Sequence, residues 1–177
     1  MENRATQLLL SEHEIIAGAK DAIAAMDQLW TKDGDAYERA FREILSFFVS
    51  YSDGFHHRKE EAVLFPALRS HSDFYANDIL DELEEHHQAF REHVMQMQLA
   101  LEGKQYSQAQ ARLTRYFDEL LDHIAVENDE LFVMADSILG DAELERIYFG
   151  FQDVDRELGM DRKTELEGRL AEIKARL

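Results

Sequence analysis

The 177-residue sequence contains no cysteine. That excludes disulfides, thiolate nucleophiles, thiolate zinc sites and cysteine-ligated iron–sulfur clusters. Proline occurs once, as Pro66, and glycine only eight times. With so few breakers among many Leu, Ala, Glu, Gln and Arg residues, the composition points to an all-α protein. The N-terminal stretch lacks a long apolar run: through His13 it holds only Leu8-Leu9-Leu10. That is too short for a signal peptide or a membrane span, so a cytoplasmic location and no membrane partner are expected. Basic residues are scarce, 19 Lys and Arg against 37 Asp and Glu, for a formal net charge of −18. Such a surface repels nucleic acid and anionic lipid, so no polyanion is expected as a partner.

What is present is helical periodicity. The first segment runs from about Ala5 to Trp30 and stops at the turn-rich Thr31-Lys32-Asp33-Gly34-Asp35. The second runs from about Ala36 to Ser70. His71-Ser72-Asp73 offers N-cap chemistry for a third, about Phe74 to Glu102, ended by Gly103. Ser107 and Gln110 suit a capping box for a fourth, about Ser107 to Leu139, ended by Gly140. Short connections predict an antiparallel up-down-up-down four-helix bundle over residues 1–140. Residues 141–177 read as a C-terminal extension of two amphipathic helices divided at Gly159, with stripes Leu144, Ile147, Phe151, Val154, Leu158 and Leu166, Leu170, Ile173, Leu177. They would dock on the bundle or on a second copy of the chain, as a homodimer.

The second and fourth segments share a local echo. His56-x3-Glu60-x3-Leu64-Phe65 matches His123-x3-Glu127-x3-Leu131-Phe132. Four-residue spacing puts an imidazole and a carboxylate one turn apart on a single helix face. His123 and Glu127 fall on the apolar stripe of Leu113, Tyr116, Leu120, Leu131 and Met134. His56 has Leu45, Val49 and Ser52 behind it, whereas His57 has Ser50, Asp53 and Gly54 and is predicted to face solvent. The third segment has the stripe Leu80, Leu83, His87, Phe90, Val94, Met97, Leu101, and in the first His13 lies among Leu9, Ile16, Ala17 and Ile23. His86 and His93 fall off the stripe. Each helix thus turns one histidine inward, and two add a glutamate.

The levels agree as well. His13 and His56 lie about 20 residues from the loop near residue 33, and His56 and His87 about 15 from the loop near 72, at about 1.5 Å of rise per residue. Buried ionised glutamates are costly unless paired or metal-bound. A metal layer of His13, His56, Glu60, His87, His123 and Glu127 answers that cost. Lys20 and Lys59 share these stripes and have no place in it. Imidazole and carboxylate without sulfur suit Fe, Mn, Zn or Cu, and two glutamates on different helices can bridge two ions. The ferritin-like pattern Glu-x-x-His occurs only at Glu84-x-x-His87.

Four pieces together, Ser11-Glu12-His13-Glu14, His56-x3-Glu60-Glu61-x2-Leu64-Phe65-Pro66, Glu85-His86-His87 and His123-x3-Glu127-Asn128-x2-Leu131-Phe132, resemble the haemerythrin family in its bacterial HHE cation-binding branch. The resemblance covers roughly residues 5 to 139. It implies a four-helix bundle around an oxo- or hydroxo-bridged non-haem di-iron centre, with Mn or Zn as other occupants. His13, His56, His87 and His123 would be terminal ligands, and Glu60 and Glu127 bridges. Oxygen-carrying members place a fifth histidine four residues from the third-helix ligand, where this sequence has Leu83 and Arg91. Four histidines bring it closer to the iron-centre repair and nitric-oxide-responsive members. The repair members add a cysteine-containing domain, and cysteine is absent here.

The resemblance implies a small diatomic or peroxide ligand, O2, NO or peroxide, in sensing, scavenging or stress response. Whether it turns over as an enzyme stays open. An iron storage or donation module is the first alternative. The second is an interaction protein, with Tyr148, Phe149 and Phe151 in the partner-binding tail and the metal only stabilising the bundle. Glu12, Glu61 and Glu85 could hold the outer nitrogens of ligand imidazoles. Tyr116 could reach the open positions or serve as a core ring.

Overall fold

A computed structural model describes residues 4–177. Met1–Asn3, which begin the stretch read for a leader sequence, lie outside the described residues. Among those described, the chain is all-helical, and no helix is long and apolar enough to cross a membrane. The first periodic segment is not one helix. Helix α1 (Arg4–Ala17) ends at Gly18, and α2 (Lys20–Ala25) follows at once, with a 3-10 turn at Leu29–Thr31. Asp33 then caps α3 (Gly34–Phe47) by accepting the Ala36 N–H at 2.9 Å.

The second segment stays helical from residue 34 to 69, but much of it is wound as π-helix. After α3 come π1 (Phe48–His57), π2 (Glu60–Leu64) and α4 (Phe65–Arg69). The Arg58 N–H reaches back five residues to the Asp53 carbonyl, and the Phe65 N–H five residues to Glu60. Pro66 sits in the first turn of α4, where its missing donor is tolerated. Then come α5 (Asn77–Glu102), α6 (Tyr106–Val126), π3 (Glu127–Leu131) and α7 (Phe132–Ile138). In π3 the Phe132 N–H again reaches five residues back, to Glu127. The sequence echo is therefore a structural echo: both glutamates begin a π turn.

The extra residue per π turn shifts the inward face, and periodicity argued at 3.6 residues per turn fails beyond it. Val49, expected behind His56, is exposed, whereas Phe48, on the apolar period of Phe41 and Leu45, is buried. Past Glu127 the buried residues are Leu131, Phe132 and Ala135, not Met134. Two predicted caps also fail. Residues 71–76 stay outside α5, whose N-cap Ala76 has no side-chain bond. Gln105 is the N-cap of α6, with no side-chain bond, and the Gln110 amide crosses to the Ile23 carbonyl at 2.9 Å instead of closing a capping box.

Two apolar clusters form the core. One gathers Ile16, Phe41, Phe48, Phe55, Phe90, Leu113, Tyr116 and Leu120. The other gathers Leu9, Leu64, Phe65, Leu80, Leu83, Leu131 and Phe132. Along every helix concerned the change from one cluster to the other falls at a histidine: His13 lies between Leu9 and Ile16, His56 between Phe55 and Leu64, His87 between Leu83 and Phe90, and His123 between Leu120 and Leu131. The polar layer is sealed by hydrocarbon above and below.

The tail covers both clusters. Leu144, Ile147 and Phe151 of α8 (Asp141–Leu158) join the second, and Leu166, Leu170 and Ile173 of α9 (Met160–Arg176) join the first. Helix α8 packs on α1 and π2, and α9 on α2, α3 and π1. At Gly150 the approach is close enough that a Cβ would stand 2.7 Å from Val63 Cγ1. Gly159 turns the chain between the helices at φ +104°, a conformation that side chains resist.

Candidate metal centre

All six sequence-predicted residues, His13, His56, Glu60, His87, His123 and Glu127, are buried at one level. They form two overlapping groups that could each hold an ion: His13, His56, Glu60 and Glu127, and His57, Glu60, His87 and His123. The prediction that His57 faces solvent is overturned; it is 2% exposed and its ring stacks on that of His87 at 3.8 Å. The π winding of Phe48–His57 shifts which positions face inward, so the α-helical count that placed His57 outside does not hold across it.

The two glutamates divide their oxygens. Glu60 Oε1 is 3.5 Å from His56 Nε2, and its Oε2 is 3.6 Å from His87 Nε2. Glu127 Oε2 is 3.2 Å from His13 Nε2, and its Oε1 is 3.1 Å from His123 Nε2. Each carboxylate thus spans the same two histidine pairs. Within the pairs, His13 Nε2 and His56 Nε2 are 2.7 Å apart, and His87 Nε2 and His123 Nε2 3.1 Å. Donors held about 2.1 Å from one ion stand about 3 Å apart at right angles and about 3.4 Å apart at the tetrahedral angle. The observed contacts cluster around these spacings.

The outer nitrogens say which inner ones are bare. A carboxylate oxygen can only accept, so a ring nitrogen facing one carries the proton. His56 Nδ1–H donates to Glu12 Oε2 at 3.0 Å, His87 Nδ1–H to Glu61 Oε1 at 2.8 Å and His57 Nδ1–H to Asp53 Oδ1 at 3.3 Å. His13 Nδ1 pairs with Asn128 Oδ1 at 2.7 Å, and His123 Nδ1 with His86 Nδ1 at 3.3 Å. For His13, His56 and His87, a proton held at Nδ1 leaves the Nε2 lone pair turned toward the Glu60 and Glu127 oxygens and, in the first pair, toward the other ring. Two lone pairs facing at 2.7 Å repel, and a shared cation removes that repulsion.

Ionisation agrees with this. Burial pushes His56 down to about 4, with His13 adding to it, and pushes His57 and His87 down as well, so these rings are neutral and able to coordinate. Burial, reinforced by the Glu127 carboxylate, pushes Glu60 well above the carboxylate range. Burial raises Glu127 too, but His123 and His13 outweigh it and hold it low. None of the four oxygens of Glu60 and Glu127 has a hydrogen-bond partner. Among the described residues the ion-pair contacts of both carboxylates are to histidines alone, with no lysine or arginine. Buried, unbonded carboxylates facing bare imidazoles are a cation's donor set, and the residues fit one.

The surroundings hold further groups that sequence reasoning missed. Arg91, noted only as a non-histidine, clamps the outer acceptors of His57 and His87: its Nε donates to Asp53 Oδ1 at 2.9 Å and its Nη2 to Glu61 Oε1 at 2.8 Å. Of the three outer glutamates considered, Glu12 and Glu61 hold imidazoles and Glu85 is exposed. Lys59, an unexplained charge on an inward stripe, is fully buried, with Nζ 2.6 Å from Glu12 Oε1 and 2.5 Å from Asp155 Oδ1. Lys20 is exposed. Tyr116 is a core ring, edge-on to Phe48 at 5.0 Å and to Phe90 at 5.5 Å.

A search of curated proteins and of solved structures finds no match. The scan against protein families matches the hemerythrin HHE cation binding domain over residues 4–135. That span takes in every residue of the two ion-sized groups. The chain belongs to the hemerythrin HHE cation binding domain family and is a metal-binding, hemerythrin-like protein.

Proposed function

We propose that the chain is a non-haem di-iron protein that binds or reacts with a small molecule, O2, NO or peroxide, in sensing, scavenging or stress response. One observation carries the two-ion reading: each of two buried carboxylates divides its oxygens between the same two histidine pairs, with no other partner. His13 and His56 would hold one ion. His87 and His123 would hold the other, joined by His57, and Glu60 and Glu127 would bridge both. Iron is favoured over Mn or Zn on the family resemblance, and the sulfur-free imidazole and carboxylate set is compatible with it. The long helical stretches are read as the up-down-up-down bundle of residues 1–140 that this layer requires.

The halves are unequal. The His13/His56 half offers two imidazoles and the other three. With the same two bridges, the first half lacks one donor, and a small molecule would enter there. Bound iron would supply redox-active, Lewis-acidic positions for such a ligand. The chain's own residues do the rest. Phe132 stacks on His13 at 5.5 Å and Phe65 on His87 at 6.0 Å, excluding water from the layer. Glu12, Glu61 and Asp53 fix the ring orientations. The fifth histidine removes the contrast with oxygen-carrying members that a count of four would support, since His57 supplies from the second helix what position 83 or 91 lacks.

The test is metal content followed by optical titration. The anaerobic, iron(II)-loaded protein is expected to carry two ions per chain, and its spectrum to change on exposure to O2, NO or peroxide. Metal content unchanged in a His56→Ala, His123→Ala double variant would refute the assignment. Two ions with no spectral response to any of the three molecules would refute the small-molecule reading while leaving the centre intact.

A further inference from the structure

We propose that the C-terminal helices position one half of the metal centre from outside, with Lys163 and Asp155 as positioning residues that hold His56 through Glu12. The inference rests on the metal reading above and assigns a role to residues beyond the matched span of 4–135.

Glu12 uses both oxygens. Oε2 accepts the His56 Nδ1–H, and Oε1 accepts Lys59 Nζ and Lys163 Nζ, each at 2.6 Å. Asp155 completes a ring of charges: Oδ1 is 2.5 Å from Lys59 and Oδ2 2.9 Å from Lys163. Two anions and two cations cancel, and the side chains are 0 to 9% exposed. Half of this ring comes from the tail. Such a cluster holds its geometry only while all four members are present, because removing one strands a buried charge. The tail is also seated by shape, since Gly150 admits Val63 where any side chain would collide. The His87 side of the centre has its own clamp, Arg91 on Asp53 and Glu61, built within residues 53–91. The tail therefore acts on one half of the centre, the half short of a donor. Without Lys163 and Asp155, Glu12 would keep Lys59 alone on Oε1 and His56 would lose half of the charges that fix its acceptor. Groups that orient a ligand imidazole typically change metal affinity by about tenfold or more.

The full-length protein is loaded anaerobically with iron(II), the ions are counted, and release to a chromogenic chelator is followed. In Lys163→Met one ion is expected to leave about tenfold faster than in wild type while the other keeps its rate. Lys163→Arg, which keeps the charge, restores the slow release. A purely structural role would instead speed both ions together, with no rescue by arginine, and that result overturns the proposal. So does wild-type release from Lys163→Met. Where Lys163→Met fails to fold, the isosteric Asp155→Asn, which removes one charge of the ring and touches no residue of the centre, must give the same one-ion acceleration; unchanged release overturns the proposal. Wild-type protein that takes up fewer than two ions refutes the two-ion reading and this inference together. Two ions with unchanged release in the variants refute this inference alone.

Discussion

Replacing Glu60 by methionine should move stability in opposite directions with and without metal. Glu60 is fully buried, both its oxygens lack hydrogen bonds, and it faces the Glu127 carboxylate. Methionine has nearly the same length and nothing to satisfy. In the metal-free protein, Glu60→Met removes an unsatisfied buried acid, worth about 1–3 kcal/mol. For a chain of this size that is a rise of about 3–10 °C in Tm. Metal reverses the order. An ion present at a hundred times its Kd stabilises the native state by about 2.7 kcal/mol, so two ions add about 5 kcal/mol, or about 10–20 °C. The variant lacks one bridge and should gain less than half of that. The assay is calorimetric melting of both proteins in chelator and in anaerobic iron(II). The reasoning fails if Glu60→Met melts below wild type in chelator, or if metal raises both proteins equally.

Three other outcomes follow from the same geometry. His57→Ala should lower iron content from two ions toward one, while His71→Ala, far from the layer, should leave it at two; equal content in both would remove His57 from the centre. The metal-free protein should lose stability on acidification. The folded His56 is held down at about 4 while the unfolded side chain titrates near 6.5, so its contribution is intact above about pH 6.5 and is lost as pH falls toward 4. His57 and His87, shifted in the same direction, add to this loss, while Glu60, held above its ordinary range, opposes it; three histidines against one carboxyl leave a net loss that denaturant melts at pH 7.5 and pH 5 should show, with metal flattening the dependence. Gly159→Ala should cost about 1–3 kcal/mol in chemical denaturation, because φ +104° is closed to a Cβ, and no loss would mean the turn between α8 and α9 is not held as seen.

Much of this protein was decided by local pattern. Breaker-poor composition determined the all-helical chain, and apolar residues three and four apart carried His13, His87 and His123 inward. The repeated His-x3-Glu-x3-Leu-Phe marked both glutamates, because four residues on a helix return to one face whatever the rest of the fold does. Tertiary structure decided where that rule stops. Hydrogen bonds five residues apart occur at Glu60, at Glu127 and within Phe48–His57, and apolar periodicity does not separate π from α winding. Within Phe48–His57, His57 turns inward and Val49 outward. Charge networks were equally out of reach. Lys59 stood out as a misplaced cation, but its partners Glu12 and Asp155 lie 47 residues before it on another helix and far after it in the tail. A contact across such separations comes from packing, which brings distant segments together only after each helix has formed. The sequence by itself thus determined which histidines and glutamates meet in one buried layer; the tertiary structure alone decided the inward turn of His57 and the ring of charges behind His56.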